Sequence, residues 1–306
     1  MDIRSTRCYP HHLWGGDQHL TPKPAVKVED LQYTYQDGTV GVEYANLAID
    51  EGECVAVVGP NGSGKSTLLL LIDGLLKPTK GRVYVFGEPM VEKNAKKLRR
   101  RIGLLMQNPD DMLFNSTVQE DLEFGPAQLD MPKEETSILI DKAASRLGLE
   151  DLLNKPPYRL SEGEKQRAAL ACILVTKPDL LLLDEPTAQV DLNSKRIILR
   201  ILNELKAEGK SIILTTHDLN LVPYIANKVI IMDKSKRVAA KGGLRTILRD
   251  IHLLQTCGLE PPDITKLFLD LGFREPPLTV EEGVEALTKV FTYRKLNIWS
   301  EGSYSA

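Results

Sequence analysis

No apolar run in this 306-residue sequence approaches the roughly 20 residues that a membrane-spanning helix needs; the run around Leu180 to Leu183 falls far short. Any attachment to a membrane is therefore expected to come through a partner. An excess of charge of one sign is also missing. The 39 Lys and Arg face 42 Asp and Glu, giving a net charge of −3 and a pI near 6.0, which leaves no electrostatic case for general nucleic-acid binding. Cysteine is scarce. The four residues, at positions 8, 54, 172 and 257, form no Cys-x-x-Cys pair, and Cys54 and Cys172 lie inside apolar runs, so reduced and mostly core thiols are expected. Cys8 with His11, His12 and His19 matches no common zinc spacing. Residues 1–24 carry Arg4 and Arg7 with no apolar run behind them, so they read as a disordered leader and not as a secretory signal. A cytoplasmic chain is expected.

What is present is enough for a full core, at 42% hydrophobic and 26% charged residues, with room for one large domain and a small one. Alternation through Val26-Lys-Val28 and Leu31 to Tyr35, followed by Gln36-Asp37-Gly38, predicts an antiparallel hairpin region. Cys54 to Val58 reads as a buried parallel strand, with a helix over Thr67 to Leu76 ended by Gly74 and Pro78 and a short strand at Gly81 to Gly87. The stretch between Gln107 and Ser161 is mostly helical in pattern. Beyond it, Leu180 to Leu183, Ser211 to Thr215 and Val229 to Met232 predict three buried strands with helical segments between successive pairs. After about residue 244 the pattern changes to short helices separated by prolines. Ile264, Leu267, Phe268 and Leu271 form one helical stripe, and Val280, Val284, Leu287 and Phe291 form another behind the capping box Thr279 to Glu282; both are expected to pack in a core. The basic run Lys96 to Arg101 reads as a solvated helix face in preference to a nucleic-acid patch.

Chemistry concentrates in motifs of fixed order. In Gly59-Pro-Asn61-Gly62-Ser63-Gly64-Lys65-Ser66-Thr67, glycines let backbone N–H groups converge on a β-phosphate at a helix N-terminus. Lys65 is expected to reach the β- and γ-phosphates and Ser66 to ligate Mg²⁺. At the end of the Leu180 strand, Asp184 is placed for the same Mg²⁺ and Glu185 for polarising the attacking water. His217, ending a neighbouring strand, is a candidate for the γ-phosphate or that water. Tyr35 is a candidate to stack on adenine, with Tyr33 as competitor on the same face. Leu160-Ser161-Glu162-Gly163-Glu164 has no duty in a lone phosphate-loop domain, but can serve ATP held by a second copy. The chain is therefore expected to work as a pair.

With these motifs in order over about residues 26 to 244, the chain resembles the ATPase subunit of an ABC transporter. Gln107 to Phe114, Thr117 to Asp121 and Phe124-Gly-Pro126 are similar to the energy-coupling-factor branch, which includes cobalt, nickel and vitamin importers; Gly258 to Asp263 and Leu278 to Glu282 resemble its small C-terminal domain. The resemblance implies an α/β phosphate-loop ABC ATPase domain over 25–244, mostly parallel with an antiparallel β subdomain and a helical subdomain, and a small helical C-terminal dimerisation domain and tail over 245–306. It further implies that Gln107 contacts Mg²⁺ and relays ATP status, that Ser161, Gly163 and Glu164 face ATP in the opposite subunit, and that Asp191 belongs to the loop linking both sites. The implied partners are a second ATPase subunit, identical or a related paralogue, a transmembrane coupling subunit and a substrate-binding membrane subunit. The implied place is the cytoplasmic face of the cell membrane, as a peripheral subunit, and the implied work is micronutrient uptake.

Three departures from the family pattern involve four positions. Glu162 and Glu164 add carboxylates near a γ-phosphate, with Lys165 and Arg167 close enough in sequence to offset them; Gln189 stands where glycine is common; and Met112 stands where the branch often has glutamine. Slower hydrolysis is expected from the Gln189 departure. A soluble ABC ATPase of translation or DNA maintenance is the rival reading, though such proteins usually carry two nucleotide domains or a long coiled-coil insert. A phosphate-loop metabolite kinase leaves the 160–164 motif and His217 unexplained.

Overall fold

Residues 24–293 are described by the computed structural model; the leader with Cys8, His11, His12 and His19 lies outside them. Strands β1 (Pro24–Thr34) and β2 (Val40–Asp50) form the expected antiparallel hairpin. Strand β3 (Cys54–Val58) leads through the glycine loop into helix α1 (Lys65–Asp73), and β4 (Lys80–Val85) with β5 (Glu88–Pro89) completes a four-stranded antiparallel sheet in the order β2-β1-β4-β5. Helix α2 (Glu92–Arg99) precedes β6 (Ile102–Leu105), and the helical insert is α3 (Val118–Gln128), α4 (Lys133–Leu147) and α5 (Glu162–Leu174). The chain continues as β7 (Leu180–Asp184), α6 (Leu192–Ala207), β8 (Ser211–Thr216), β9 (Lys228–Met232) and β10 (Val238–Gly243). These strands build a six-stranded sheet ordered β10-β9-β3-β8-β7-β6, parallel except for β10. Helices α7 (Leu244–Arg249), α8 (Ile251–Thr256), α9 (Asp263–Asp270) and α10 (Val280–Tyr293) follow.

The large sheet divides two cores because successive strand residues point to opposite faces. From β3, Cys54, Ala56 and Val58 enter one core, with residues of the helical insert, α6 and the C-terminal segment. Val55 and Val57 enter the other, shared with α1 and the antiparallel sheet. Leu180 to Leu183 divide in the same way, all completely buried, each contributing about 1.5–3 kcal/mol by leaving water. Cys54 and Cys257 are buried and Cys172 half-buried; burial pushes the Cys54 thiol up to about 12, so the thiols stay neutral.

Two expectations need correction. Between β8 and β9 there is no α-helix, only one 3₁₀ turn at Val222–Tyr224. The C-terminal stripes do not close into a core: Phe268 is buried, but Leu267 and Leu271 are 51% and 58% exposed, and Val280, Val284 and Phe291 are 57%, 59% and 54% exposed. The reason is Gly283. A Cβ there would lie 3.0 Å from Ile264 Cδ1 and 3.2 Å from Phe268 Cε2, so α10 approaches α9 through its glycine and carries its apolar stripe away from that contact.

Candidate active site

Sheet register assembles the site at one edge. Val58 pairs with Thr216 and Asp184 with Thr215, so the glycine loop, the two acids and His217 all leave the carboxyl ends of neighbouring parallel strands. Gly64 turns the loop into α1 at φ 97°, and a Cβ on it would stand 2.3 Å from the Gly41 carbonyl oxygen, so only glycine fits. No side chain caps α1, which leaves its first N–H groups for an anion. Ser63 Oγ is fully buried and without a hydrogen-bond partner, a donor that a phosphate oxygen would satisfy. The Lys65 ammonium folds back on the loop, donating to Gly59 O at 2.8 Å and Pro60 O at 3.2 Å. Burial lowers its pKa, while Glu185 and Asp184 act the other way.

On the acidic side, Glu185 is 7% exposed and its backbone lies in the left-handed region at φ 49°, an uncommon state for a residue with a side chain. Thr215 holds it there: the hydroxyl accepts from Glu185 N–H at 3.0 Å and donates to Asp184 Oδ1. Glu185 Oε1 then lies 2.8 Å from His217 Nδ1.

A cavity of about 360 Å³ joins these groups. Asn61, Gly62, Gly64, Lys65, Ser66, Gln107, Asp184 and Glu185 line its phosphate end, and Tyr35, Thr39, Val40 and Lys236 the other. Tyr35 is the exposed ring of its pair, hydrogen-bonded through its hydroxyl to Thr67 Oγ1 at 2.9 Å, whereas Tyr33 packs on the core and meets Tyr35 edge-on at 4.8 Å. His217 lines an adjoining cleft with Pro60 and Asn61.

Ser161, Gly163, Glu164 and Asp191 do not line that cavity; they gather elsewhere, with Ser161 and Asp191 exposed, Glu164 half-buried and Gly163 buried. Ser161 Oγ caps α5 by accepting from Glu164 N–H at 3.3 Å, and Glu164 Oε2 accepts from Ser161 N–H at 2.7 Å, a complete capping box. That backbone hydrogen bond holds the Glu164 carboxyl below the usual range. Asp191 caps α6 through Asn193 and Ser194 N–H and crowds Gly163, where a Cβ would meet Asp191 Oδ2 at 2.3 Å. Lys165 offsets Glu162 as expected, at 3.1 Å, and also binds Asp110 at 2.9 Å. Arg167 spends its hydrogen bonds on the carbonyls of Gly163, Leu147 and Gly148, and its charge still helps to hold the Glu164 carboxyl low, as expected.

Comparison with known proteins decides the family. The profile described as "ABC transporter" matches residues 42–188. A putative ABC transporter ATP-binding protein of Archaeoglobus fulgidus is 44% identical over 76% of this chain and 97% of its own length. The energy-coupling factor transporter ATP-binding protein EcfA of Methanocaldococcus jannaschii is 40% identical over 79% of this chain and 87% of its own. Among solved structures, cbiO1 of Clostridium perfringens, described as part of the ABC transporter complex cbiONQ, superposes with a TM-score of 0.68 at 37% identity, covering 81% of this chain and 99% of the other. The chain belongs to the ABC transporter ATP-binding family, in its energy-coupling-factor branch. A dimeric relative, 31% identical over 72% of this chain and 99% of its own, with a TM-score of 0.67, was solved in a post-hydrolysis state bound to ADP and Pi. This chain is accordingly an ATPase.

Several residues of this ABC ATPase escaped sequence reasoning. Thr215, which bridges both acids, was readable only as a hydroxyl ending an otherwise aliphatic strand. Lys236 lines the cavity from the β9–β10 turn and donates to Val40 O, with no motif around it. Asp121 Oδ1 gathers Phe114 N–H, Asn115 N–H and Asn115 Nδ2 at 2.9 to 3.1 Å, pinning the segment after Gln107. Met112 has a local role: its Sδ accepts from Met106 N–H at 3.3 Å beside Gln107. The basic run is spent on ion pairs, with Arg101 at 2.7 Å from Asp179, Arg99 at 3.5 Å from Asp73 and Lys97 at 2.6 Å from Glu88.

Gln189 adopts the left-handed backbone, at φ 58°, that its family position calls for, in the same turn as Glu185. A side chain there costs on the order of 1–2 kcal/mol. Gln189→Gly is expected to raise the thermal midpoint by a few degrees and to speed turnover about twofold to fivefold, read by steady-state phosphate release. Unchanged turnover would show that this turn does not limit the ATPase.

Proposed function

We propose that this ABC ATPase is the energy-supplying subunit of an energy-coupling-factor importer on the cytoplasmic face of the cell membrane. It powers uptake of a micronutrient, a cobalt or nickel ion or a vitamin, through membrane partners. The observation that carries the chemistry is the Glu185–His217 hydrogen bond, 2.8 Å long, at the edge of the phosphate loop. A carboxylate only accepts, so His217 donates from Nδ1 and keeps Nε2 for the γ-phosphate or the attacking water. Glu185 takes the proton of that water as its oxygen bonds to the γ-phosphorus and the bond to the bridging oxygen breaks, releasing ADP and phosphate. Lys65 exchanges its carbonyl partners for phosphate oxygens, and Tyr35 faces adenine at the far end of the cavity.

The donor set of Ser66 hydroxyl, Gln107 amide and Asp184 carboxylate, all lining one cavity, is oxygen-rich and fits Mg²⁺. Mg²⁺ bound there would offset charge on the β- and γ-phosphates. The Ser161 face lies outside its own chain's cavity, at the capped N-terminus of α5, and we assign it to ATP held by a second ATPase chain, identical or paralogous, in a head-to-tail pair.

The importer reading is supported by the names of the relatives and by two apolar features of the surface. Phe114 and Phe124 form an exposed edge-to-face pair 5.0 Å apart. A groove of about 1280 Å³, lined by Leu75, Leu76, Met90, Val91 and Leu129 together with charged residues such as Arg82, Lys93 and Arg100, is the surface we assign to helices of a transmembrane subunit. Among the described residues no helix is long and apolar enough to cross a membrane. The test is to tag the Glu185→Gln chain, purify it with ATP from mildly solubilised native cells, and identify what stays bound by mass spectrometry. Small polytopic membrane proteins are expected, and their substrate-binding member identifies the cargo. Ribosomal or DNA-associated partners without membrane proteins would overturn the importer and leave the ATPase.

A further inference from the structure

The C-terminal segment grips the loop that carries the histidine. Asn220 stands three residues after His217, and Asp263 opens α9. The two bond reciprocally: Asn220 Nδ2 donates to Asp263 Oδ2 at 3.2 Å, and Asp263 N–H donates to Asn220 Oδ1 at 2.8 Å. A second tie lies further along the loop, where the Tyr224 hydroxyl donates to Glu281 Oε2 of α10 at 3.0 Å. Inside the loop the hydrogen bonds continue toward the catalytic strand. Asn220 N–H donates to Asp218 Oδ1 at 3.0 Å and Asp218 N–H to Thr216 Oγ1 at 3.1 Å, bracketing His217.

The histidine itself has little else to hold it. Its side chain is 57% exposed, its one described hydrogen bond is to Glu185, and only a single 3₁₀ turn orders the connection from β8 to β9. Leu219 and Val222 anchor the base of that connection in the core, and α6 holds other points of it, with Lys195 3.4 Å from Asp218 Oδ2 and Asn203 Nδ2 donating to Tyr224 O at 3.0 Å; the tie from the C-terminal segment beside His217 is the one at Asn220. Between the rim, the glycine loop and the C-terminal segment lies a cleft of about 350 Å³ bounded by Pro60, Asn61, His217, Gly258 and Glu260. Helix α9 is thereby tied directly to a loop bordering the phosphate site.

We propose that the Asn220–Asp263 pair is a positioning clamp through which the C-terminal domain sets His217 against Glu185 and so sets the rate of ATP hydrolysis. Neither residue touches ATP. Both act through the histidine, and the proposal rests on the roles assigned above to Glu185 and His217. An amide that both donates and accepts fixes the loop's orientation as well as its distance, and small misplacements of a catalytic group are costly in rate.

The reciprocal geometry supplies its own test in the full chain. Asn220→Asp keeps the acceptor for Asp263 N–H but loses the donor and sets two carboxylates together. Adding Asp263→Asn restores a donor and an acceptor in exchanged places. Asn220→Asp is expected to lower kcat about fivefold with KM for ATP within about twofold, and the double variant to recover to within about twofold of the parent. Thermal midpoint and binding of a fluorescent ATP analogue are read on each variant, with His217→Ala in parallel. If Asn220→Asp only lowers the thermal midpoint while kcat holds, or if the double variant folds, binds ATP and stays slow, the clamp is refuted. If His217→Ala keeps full turnover, the clamp falls together with the assigned role of the histidine. Loss in His217→Ala beside normal turnover in Asn220→Asp refutes the clamp alone.

Discussion

Glu185→Gln is expected to lower ATP turnover about 10²- to 10⁴-fold while ATP stays bound. The substitution keeps the shape of a side chain that is 7% exposed and held between Thr215 and His217, so the site should assemble as before. What goes is the capacity to take a proton from water. Removing a negative charge beside the γ-phosphate also favours the bound state, so two chains should remain closed around unhydrolysed ATP. Phosphate release measures the first effect and size-exclusion chromatography with ATP and Mg²⁺ the second. Normal turnover would remove Glu185 as the base; lost turnover with lost ATP binding would assign it to binding instead.

Ser161→Arg is expected to bring turnover to background while ATP binding to the isolated chain is unchanged. Ser161 is exposed, lies outside its own chain's nucleotide cavity and caps α5. Losing the cap costs about 1 kcal/mol, a fraction of the roughly 5–15 kcal/mol that holds a domain folded. The larger effect comes from placing a long, charged side chain on the exposed face assigned to ATP of a second chain. ATP-dependent pairing, followed by size-exclusion chromatography of the Glu185→Gln, Ser161→Arg double variant, should vanish. Unchanged turnover in Ser161→Arg would contradict engagement across two chains.

Much of the site was legible because phosphate chemistry uses residues in contiguous runs. Cys54 to Val58 reads as a buried strand from its unbroken apolar sequence, and it pairs on both edges in the six-stranded sheet. The glycine loop follows it directly, so strand, loop and helix needed no long-range information. Tyr35 and Tyr33 could not be separated by alternation, since both fall on one face; the packing of a half-buried Tyr33 against the core separates them. The stripe of α10 was misjudged because hydrophobic periodicity gives glycine no weight, whereas Gly283 is what lets α9 approach. Arg167 offsets Glu164 through its charge, but nearness in sequence does not say which atoms a guanidinium bonds; here carbonyls at the end of α4 take its hydrogen bonds.

The sequence by itself determined the fold class, the strand–loop–helix unit at the phosphate loop and the reaction, because each rests on residues close together along the chain whose types have few alternative uses. Tertiary structure decided the rest. Thr215 beside Asp184 and Glu185, Lys236 over the hairpin, Asp121 pinning the segment beyond Gln107 and the hold of α9 on the histidine loop join residues from separate elements. Each is a single hydrogen bond or a small group of them between positions with no periodic or compositional mark. Only sheet register and helix packing, set by burial over the whole chain, bring such groups within 3 Å or so of one another.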